Sequence, residues 1–332
     1  MLKQIFKIMI AGILSILVLS PIAVFYSYDG AHRINPTEST DVCWYPNQWK
    51  GTMAEGIAFM RLDSNGFNNN YELDNQNINI LLMGSSHMEA LQVSQSKNTG
   101  ALLNELLPEY TTYNISISGH TIYHCVDNLE AAMAEYSPSD YVIIETMNIK
   151  LDSNQMQTAM EHNRSRSRSS TGGSYYLARF VPGLNTIYQK ITNWKNSSKL
   201  SSSTSESDII QESLPSAQYE SDLQSFLSYA ENTVSSSGCK LIILYHPTME
   251  IEKDGKLILN TDPDYLSCFK NVCEEENITF VDMSEDFFDM YNRSHTLPYG
   301  FSNTEVATGH LNIYGHEAIA SKLQEIITAL GR

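Results

Sequence analysis

The side chains able to carry group-transfer chemistry stand where apolar runs end. In residues 78–93, INILLMGSSHMEALQV, an apolar run breaks at Gly84-Ser85-Ser86-His87 and passes at once into helix-like sequence. A serine at the carboxyl end of a buried strand, on the first turn of the following helix, meets unpaired backbone N–H groups that can hold a developing oxyanion. Taken alone, the stretch reads equally well as a polar turn with Ser86 as a helix N-cap. Further along stand Gly119 in Ser118-Gly119-His120, Asn148 after the run 141–144, His246 before Pro247, and Gly309-His310-Leu311-Asn312 ahead of the last helix pattern. Acyl transfer needs such a set: a nucleophile (Ser86), a base to take its proton (His310), a backbone donor unhindered by a side chain (Gly119) and an amide donor (Asn148). Singly, Gly119 reads as a turn residue and Asn148 as an Asx turn. His316, six residues after His310, reads as a capping or surface histidine. The histidines and acid His87, Glu89, His120, His124 and His246 could be grouped as metal ligands, but no H-E-x-x-H or paired-cysteine spacing supports this. No metal and no other cofactor is expected.

Five short apolar runs could position these residues: 78–83, 113–117, 141–144, 240–245 and 278–281. Between them lie helix-period patterns. Leu102, Leu103, Leu106 and Leu107 share one face before Pro108, and Val126, Leu129, Ala132, Met133 and Tyr136 another; Leu223, Phe226, Leu227, Ala230 and Val234 precede Gly238, and helices are expected over 263–276 and 315–330. Strands alternating with helices predict an α/β fold, a doubly wound parallel five-stranded sheet in an α/β/α sandwich with its crevice at the strands' carboxyl ends. A stretch at about 150–216, dense in Ser, Arg, Asn and Thr, reads as an insertion. Its more structured island, 175–194, is a candidate lid or partner patch, or a plain surface excursion.

The chain has 332 residues, 42% of them hydrophobic, which is ample for a core. A net charge of −17 with 21 Lys and Arg excludes a nucleic-acid partner, whose recognition needs clustered basic side chains. The one basic cluster, Arg164-Ser165-Arg166-Ser167-Arg168, reads as a solvated loop. At the N-terminus Lys3 and Lys7 precede 8–26, a run of 19 residues without charge, about the length of a membrane-spanning helix. The expected organisation is a cytoplasmic segment 1–7, an uncleaved signal anchor 8–26 through which the chain partners the membrane, a juxtamembrane stalk and domain entry 27–76, and an extracytoplasmic domain 77–332. Five cysteines without a C-x-x-C pair leave at least one unpaired.

Four separated blocks, Gly84-Ser85-Ser86, Gly119, Asn148 and His310-Leu311-Asn312, resemble in order those of the SGNH (GDSL-like) hydrolases, membrane-anchored bacterial type. The likeness spans position 65 to the C-terminus apart from the insertion, and Asn65-Gly66-Phe67 is similar to the segment that often precedes the first block. The resemblance implies an SGNH/flavodoxin-like fold with Ser86 as nucleophile and His310 as base. It also implies an oxyanion hole made by the Ser86 and Gly119 N–H groups with the Asn148 side chain. Two positions depart from the pattern. Ser85 replaces an Asp, and the acid expected three residues before the histidine is Ala307. Glu305 lies at the wrong spacing to substitute, so a Ser86–His310 dyad held by a backbone carbonyl is expected, with Ser85 and His87 as crevice residues. The implied function is a serine esterase, or an O-acetyltransferase of the same chemistry, whose partner is an O-acylated glycan or small ester; the extracytoplasmic address points to O-acetyl on cell-surface carbohydrate as its substrate. A silent glycan-binding or scaffold module beside a membrane acyltransferase is the alternative.

Overall fold

The computed structural model describes residues 2–26, 43–44, 46–47, 49–53, 55–73, 77–161 and 214–331. The basic cluster, the 175–194 island, most of the expected insertion and the first part of the expected stalk, 27–42, lie outside the described residues.

The centre is a five-stranded, wholly parallel sheet made by β3 (Ile80–Met83), β4 (Thr112–Asn114), β5 (Tyr141–Thr146), β6 (Lys240–Tyr245) and β9 (Thr279–Asp282), in the order β4-β3-β5-β6-β9. β3 and β5 are buried at every position, as strands covered on both faces must be. Their side chains alternate between two cores. Leu81, Met83, Val142, Ile144, Leu241 and Ile243 face one, while Ile80, Leu82, Ile143, Ile242 and Leu244 face the other. Helices α4 (Ile122–Asp127), α5 (Leu129–Tyr136), α6 (Ser153–Met160), α7 (Ala217–Ser235) and α8 (Pro263–Glu275) cover the first core; α3 (Thr99–Leu106), α9 (Ser284–Ser294) and α10 (Ile313–Leu330) cover the second. In strand sequence the order is 2-1-3-4-5, so the topological switch lies between β3 and β5, and a ligand crevice belongs at their carboxyl ends.

Two features revise the sequence reading. Residues 150–161 are not insertion: α6 buries Met156 and Ala159 completely. Nor does the packed domain begin at 77. Cys43, Trp44, Ala58, Met60, Leu62 and Phe67 belong to the first core, and an antiparallel hairpin, β1 (Trp49–Thr52) with β2 (Ala58–Arg61), stands in the expected stalk. A second hairpin pairs β7 (Thr248–Ile251) with β8 (Leu257–Asn260). Ahead of all this, α1 (Leu2–Tyr26) is helical; its side chains are described only at 3–16 and 18–19, and over the described residues no helix is long and apolar enough to cross a membrane.

Candidate active site

Ser86 opens α2 (Ser86–Glu89), a single turn at the end of β3. Ser85 caps it: its Oγ accepts the His87 N–H at 3.2 Å. The other end is closed by borrowed amides, since Asn114 Nδ2 donates to Met88 O (2.7 Å) and Asn68 Nδ2 to Glu89 O (2.7 Å). Ala90 then turns the chain away in a left-handed conformation, φ 58°. A four-residue helix has too few internal bonds to hold itself, so these caps fix where Ser86 sits.

His310 lies within hydrogen-bond reach, Nε2 to Ser86 Oγ 2.8 Å. Its loop is held by the Gly300 N–H to His310 O (3.1 Å), by the bridge between Tyr299 and Leu311, and by Asn312, whose side chain caps α10. The Leu311 N–H donates to His87 Nδ1 (3.2 Å), tying this loop directly to the nucleophile turn.

The imidazole is not held by a backbone carbonyl, and the pair is not a dyad. Glu55, in the loop of the β1–β2 hairpin, receives His310 Nδ1–H at 2.6 Å and the His310 backbone N–H at 3.0 Å, both on Oε2. Glu305, the acid weighed for this role, is engaged through its backbone, its carbonyl accepting from Thr308. Glu55 is placed by Asn303, which accepts the Gly56 N–H (2.9 Å) and donates to Met53 O (2.8 Å), fastening the hairpin loop to the His310 loop. A Cβ on Gly309, whose φ is +86°, would stand 2.8 Å from Glu55 Oε2. The glycine before the histidine is therefore what admits the carboxylate. A carboxylate on Nδ1–H fixes the tautomer that leaves Nε2 free to accept the serine proton and stabilises the imidazolium that results.

The proposed oxyanion donors come from adjacent strands. In the order β4-β3-β5, Gly119 follows β4, Ser86 follows β3 and Asn148 follows β5. Within the described residues no acceptor takes the Ser86 or Gly119 N–H. Gly119 has φ +89° with no atom within 4 Å of a built Cβ, so its backbone conformation, rather than crowding, asks for glycine. Asn148 Oδ1 accepts the Lys150 N–H at 2.9 Å, which commits the oxygen to the Asx turn and leaves the amide hydrogens outward. The Gly119 loop is anchored by Glu89, buried at the end of α2. It accepts the Ser118 N–H at 2.9 Å, the Ser118 hydroxyl, and the indole N–H of Trp44. Burial pushes the Glu89 carboxyl above its ordinary range.

His87, His246 and His316 are structural neighbours. Burial first, then the charge of His246, holds His87 well below the usual imidazole range, so it stays neutral with its ring 4.9 Å from that of His310. A neutral neighbour does not oppose the positive charge that forms on His310. His246 is fully buried against Glu145 and Tyr299. His316 is neither surface nor cap: it is completely buried, with Nδ1 2.9 Å from Thr99 Oγ1. Among the described residues no three His, Cys, Asp or Glu side chains group as metal ligands.

Ser86, His310 and Glu55 thus stand in one hydrogen-bonded line at the carboxyl end of a parallel α/β/α sheet. The solved structures to which the chain is similar include TesA, at 16% identity and TM-score 0.41, over 76% of this chain and 99% of that one. They also include the psychrotrophic esterase EstA from Pseudoalteromonas sp., inhibited by monoethylphosphonate, at 15% identity and TM-score 0.41, over 77% and 100%. A member of the lipolytic G-D-S-L family from Veillonella parvula matches at 13% identity and TM-score 0.41, over 76% and 98%. No family model and no curated protein matches the chain.

Proposed function

We propose that this chain is an SGNH-type serine esterase, carried by one observation: Ser86 Oγ, His310 and Glu55 form an unbroken hydrogen-bonded line of 2.8 and 2.6 Å. His310 takes the Ser86 proton as Oγ attacks the ester carbonyl; the Ser86 and Gly119 N–H groups and the Asn148 amide meet the oxyanion. The tetrahedral intermediate collapses to an acyl-Ser86 as His310 protonates the departing alcohol. Water, or a sugar hydroxyl in a transferase, then repeats the sequence in reverse with His310 as base.

Two cavities support a small acyl group on a larger alcohol. A cleft of about 160 Å³ between the loops after β4 and β5 is bounded by Ser85, Ile122, Tyr123, Met147, Asn148 and Leu151, space for a short acyl chain. A groove of about 740 Å³, with Ile57, Phe301, Val306, Asn312 and Tyr314 in its wall, opens beside the His310 loop and the Glu55 hairpin. That asymmetry favours O-acetyl groups on carbohydrate. The uncharged run 8–26 behind Lys3 and Lys7 supports a membrane anchor with the domain outside the cytoplasm, facing cell-surface glycan and a membrane acyltransferase as neighbour. Glu55 on His310 Nδ1 supports the catalytic reading over the silent module. The test is hydrolysis of p-nitrophenyl acetate by wild type and Ser86→Ala. Loss of turnover in the variant is expected; equal rates would overturn the proposal.

A further inference from the structure

A second line of buried polar side chains lies beneath the nucleophile and takes no part in the triad. Glu145, near the end of β5, has a side chain with no exposure. Its Oε2 accepts the Ser85 N–H at 2.7 Å, and its Oε1 accepts the Ser85 hydroxyl at 3.2 Å and His246 Nε2–H at 2.8 Å. On the far side of the ring, His246 Nδ1 lies 2.6 Å from the Tyr299 hydroxyl, which donates its own hydrogen to Pro247 O at 2.8 Å. A carboxylate only accepts, so His246 Nε2 donates to Glu145. Burial raises the Glu145 carboxyl, but the His246 hydrogen bond and charge outweigh it and bring it down to about 2.

Stability alone does not account for such a pair. Burying a carboxylate with its histidine partner is costly, and well-packed apolar side chains in place of such a pair are often neutral or better. What the pair touches is informative: its free end goes to Ser85. Both hydrogens of Ser85 point to Glu145, and the Ser85 oxygen in turn accepts the His87 N–H that would otherwise compete at the turn. With its neighbours thus engaged, the Ser86 N–H has no acceptor among the described residues. Strand and acid are also fitted to each other, for a Cβ on Gly84 would lie 2.6 Å from Glu145 Oε2.

We propose that Glu145 is a positioning residue for the nucleophile: paired with His246 and steadied by Tyr299, it grips both hydrogens of Ser85, so that the turn presents Ser86 Oγ to His310 and the Ser86 N–H to the oxyanion. This rests on the serine-esterase reading and adds three residues, none of which touches the reacting atoms. A misplacement of about 1 Å at a reacting centre costs roughly 10²-fold in rate.

The experiment compares full-length wild type, Ser86→Ala, Glu145→Gln, His246→Gln, the Glu145→Gln/His246→Gln double variant and Tyr299→Phe on p-nitrophenyl acetate, with thermal melts to establish folding. Glu145→Gln is expected to lower kcat about 10²-fold with a smaller change in KM, because the displaced turn carries Ser86 itself while only part of the acyl cleft's wall is disturbed. The double variant should be no slower than Glu145→Gln alone, since His246 acts through Glu145. Tyr299→Phe, which keeps the ring, should lower kcat roughly ten-fold and carries the test if Glu145→Gln fails to fold. A folded Glu145→Gln or Tyr299→Phe with wild-type kcat overturns the proposal, as does a double variant whose loss is the product of the single losses. Failure of the esterase reading is separate, because there Ser86→Ala would match wild type.

Discussion

The Glu55 carboxylate takes both the ring Nδ1–H and the backbone N–H of His310, a residue 255 positions further along the chain. One acid thus fixes the tautomer of the imidazole and the conformation of the loop that carries it. Glu55→Gln should lower kcat for p-nitrophenyl acetate by roughly 10⁴-fold with little change in KM, on the scale of an orienting-acid loss in known serine proteases. Glu305→Gln should be indistinguishable from wild type. Steady-state kinetics on the two variants separates the hairpin acid from the loop acid.

Gly309→Ala tests the approach of that carboxylate. The new Cβ would meet Glu55 Oε2 at 2.8 Å, and an L side chain at φ +86° adds backbone strain of about 1 to 2 kcal/mol. Activity should fall by at least ~10²-fold while the melting temperature falls only by several degrees. A crystal structure of the variant should show Glu55 swung away from Nδ1.

Asn148→Ala should cost about 10²- to 10³-fold in kcat, the usual loss of one oxyanion donor. The Asx turn it leaves behind is exposed, so the melt should barely move. Labelling of Ser86 by a fluorophosphonate should slow in parallel, since the phosphonyl oxygen occupies the same hole.

His316 sets an acid limit on stability. Burial, before any neighbouring charge, pulls it down to about 3 from the ordinary 6.5. Between those values the unfolded chain binds a proton that the folded chain refuses, so unfolding gains as pH falls. The contribution is fully present above pH 6.5 and is lost progressively toward pH 3. Glu145 acts in the same direction lower down, its stabilisation being lost as pH falls from 4.5 toward 2. Calorimetry from pH 7 to pH 4 should show a falling Tm, with a shallower slope in His316→Gln.

The sheet was readable because its central strands are continuous apolar runs, as two-sided burial demands; β6 occupies the expected 240–245. Ser86 and His310 were readable because local sequence marks them, a strand-to-helix turn in one case and an N-capped helix after it in the other. Glu55 was not. Its hairpin has two four-residue strands, one buried at three consecutive positions and the other at alternate ones, too short for a period to declare itself. Its partner is remote in sequence, so no spacing rule reaches it. The second hairpin did carry a signal: Asp254-Gly255 between two short alternating runs is a turn dipeptide. The burial of His316 had none, since a histidine three residues into an amphipathic helix is outward or inward according to what packs there.

Both acids at this site occupy space that an absent methyl group concedes, Glu55 opposite Gly309 and Glu145 opposite Gly84. Each glycine and its acid should consequently be inherited as a couple: homologous chains that exchange one for a larger residue should have dropped the other. A search for relatives keyed to an aspartate three places before the histidine would discard chains of this kind, whereas one keyed to the two couples would retain them.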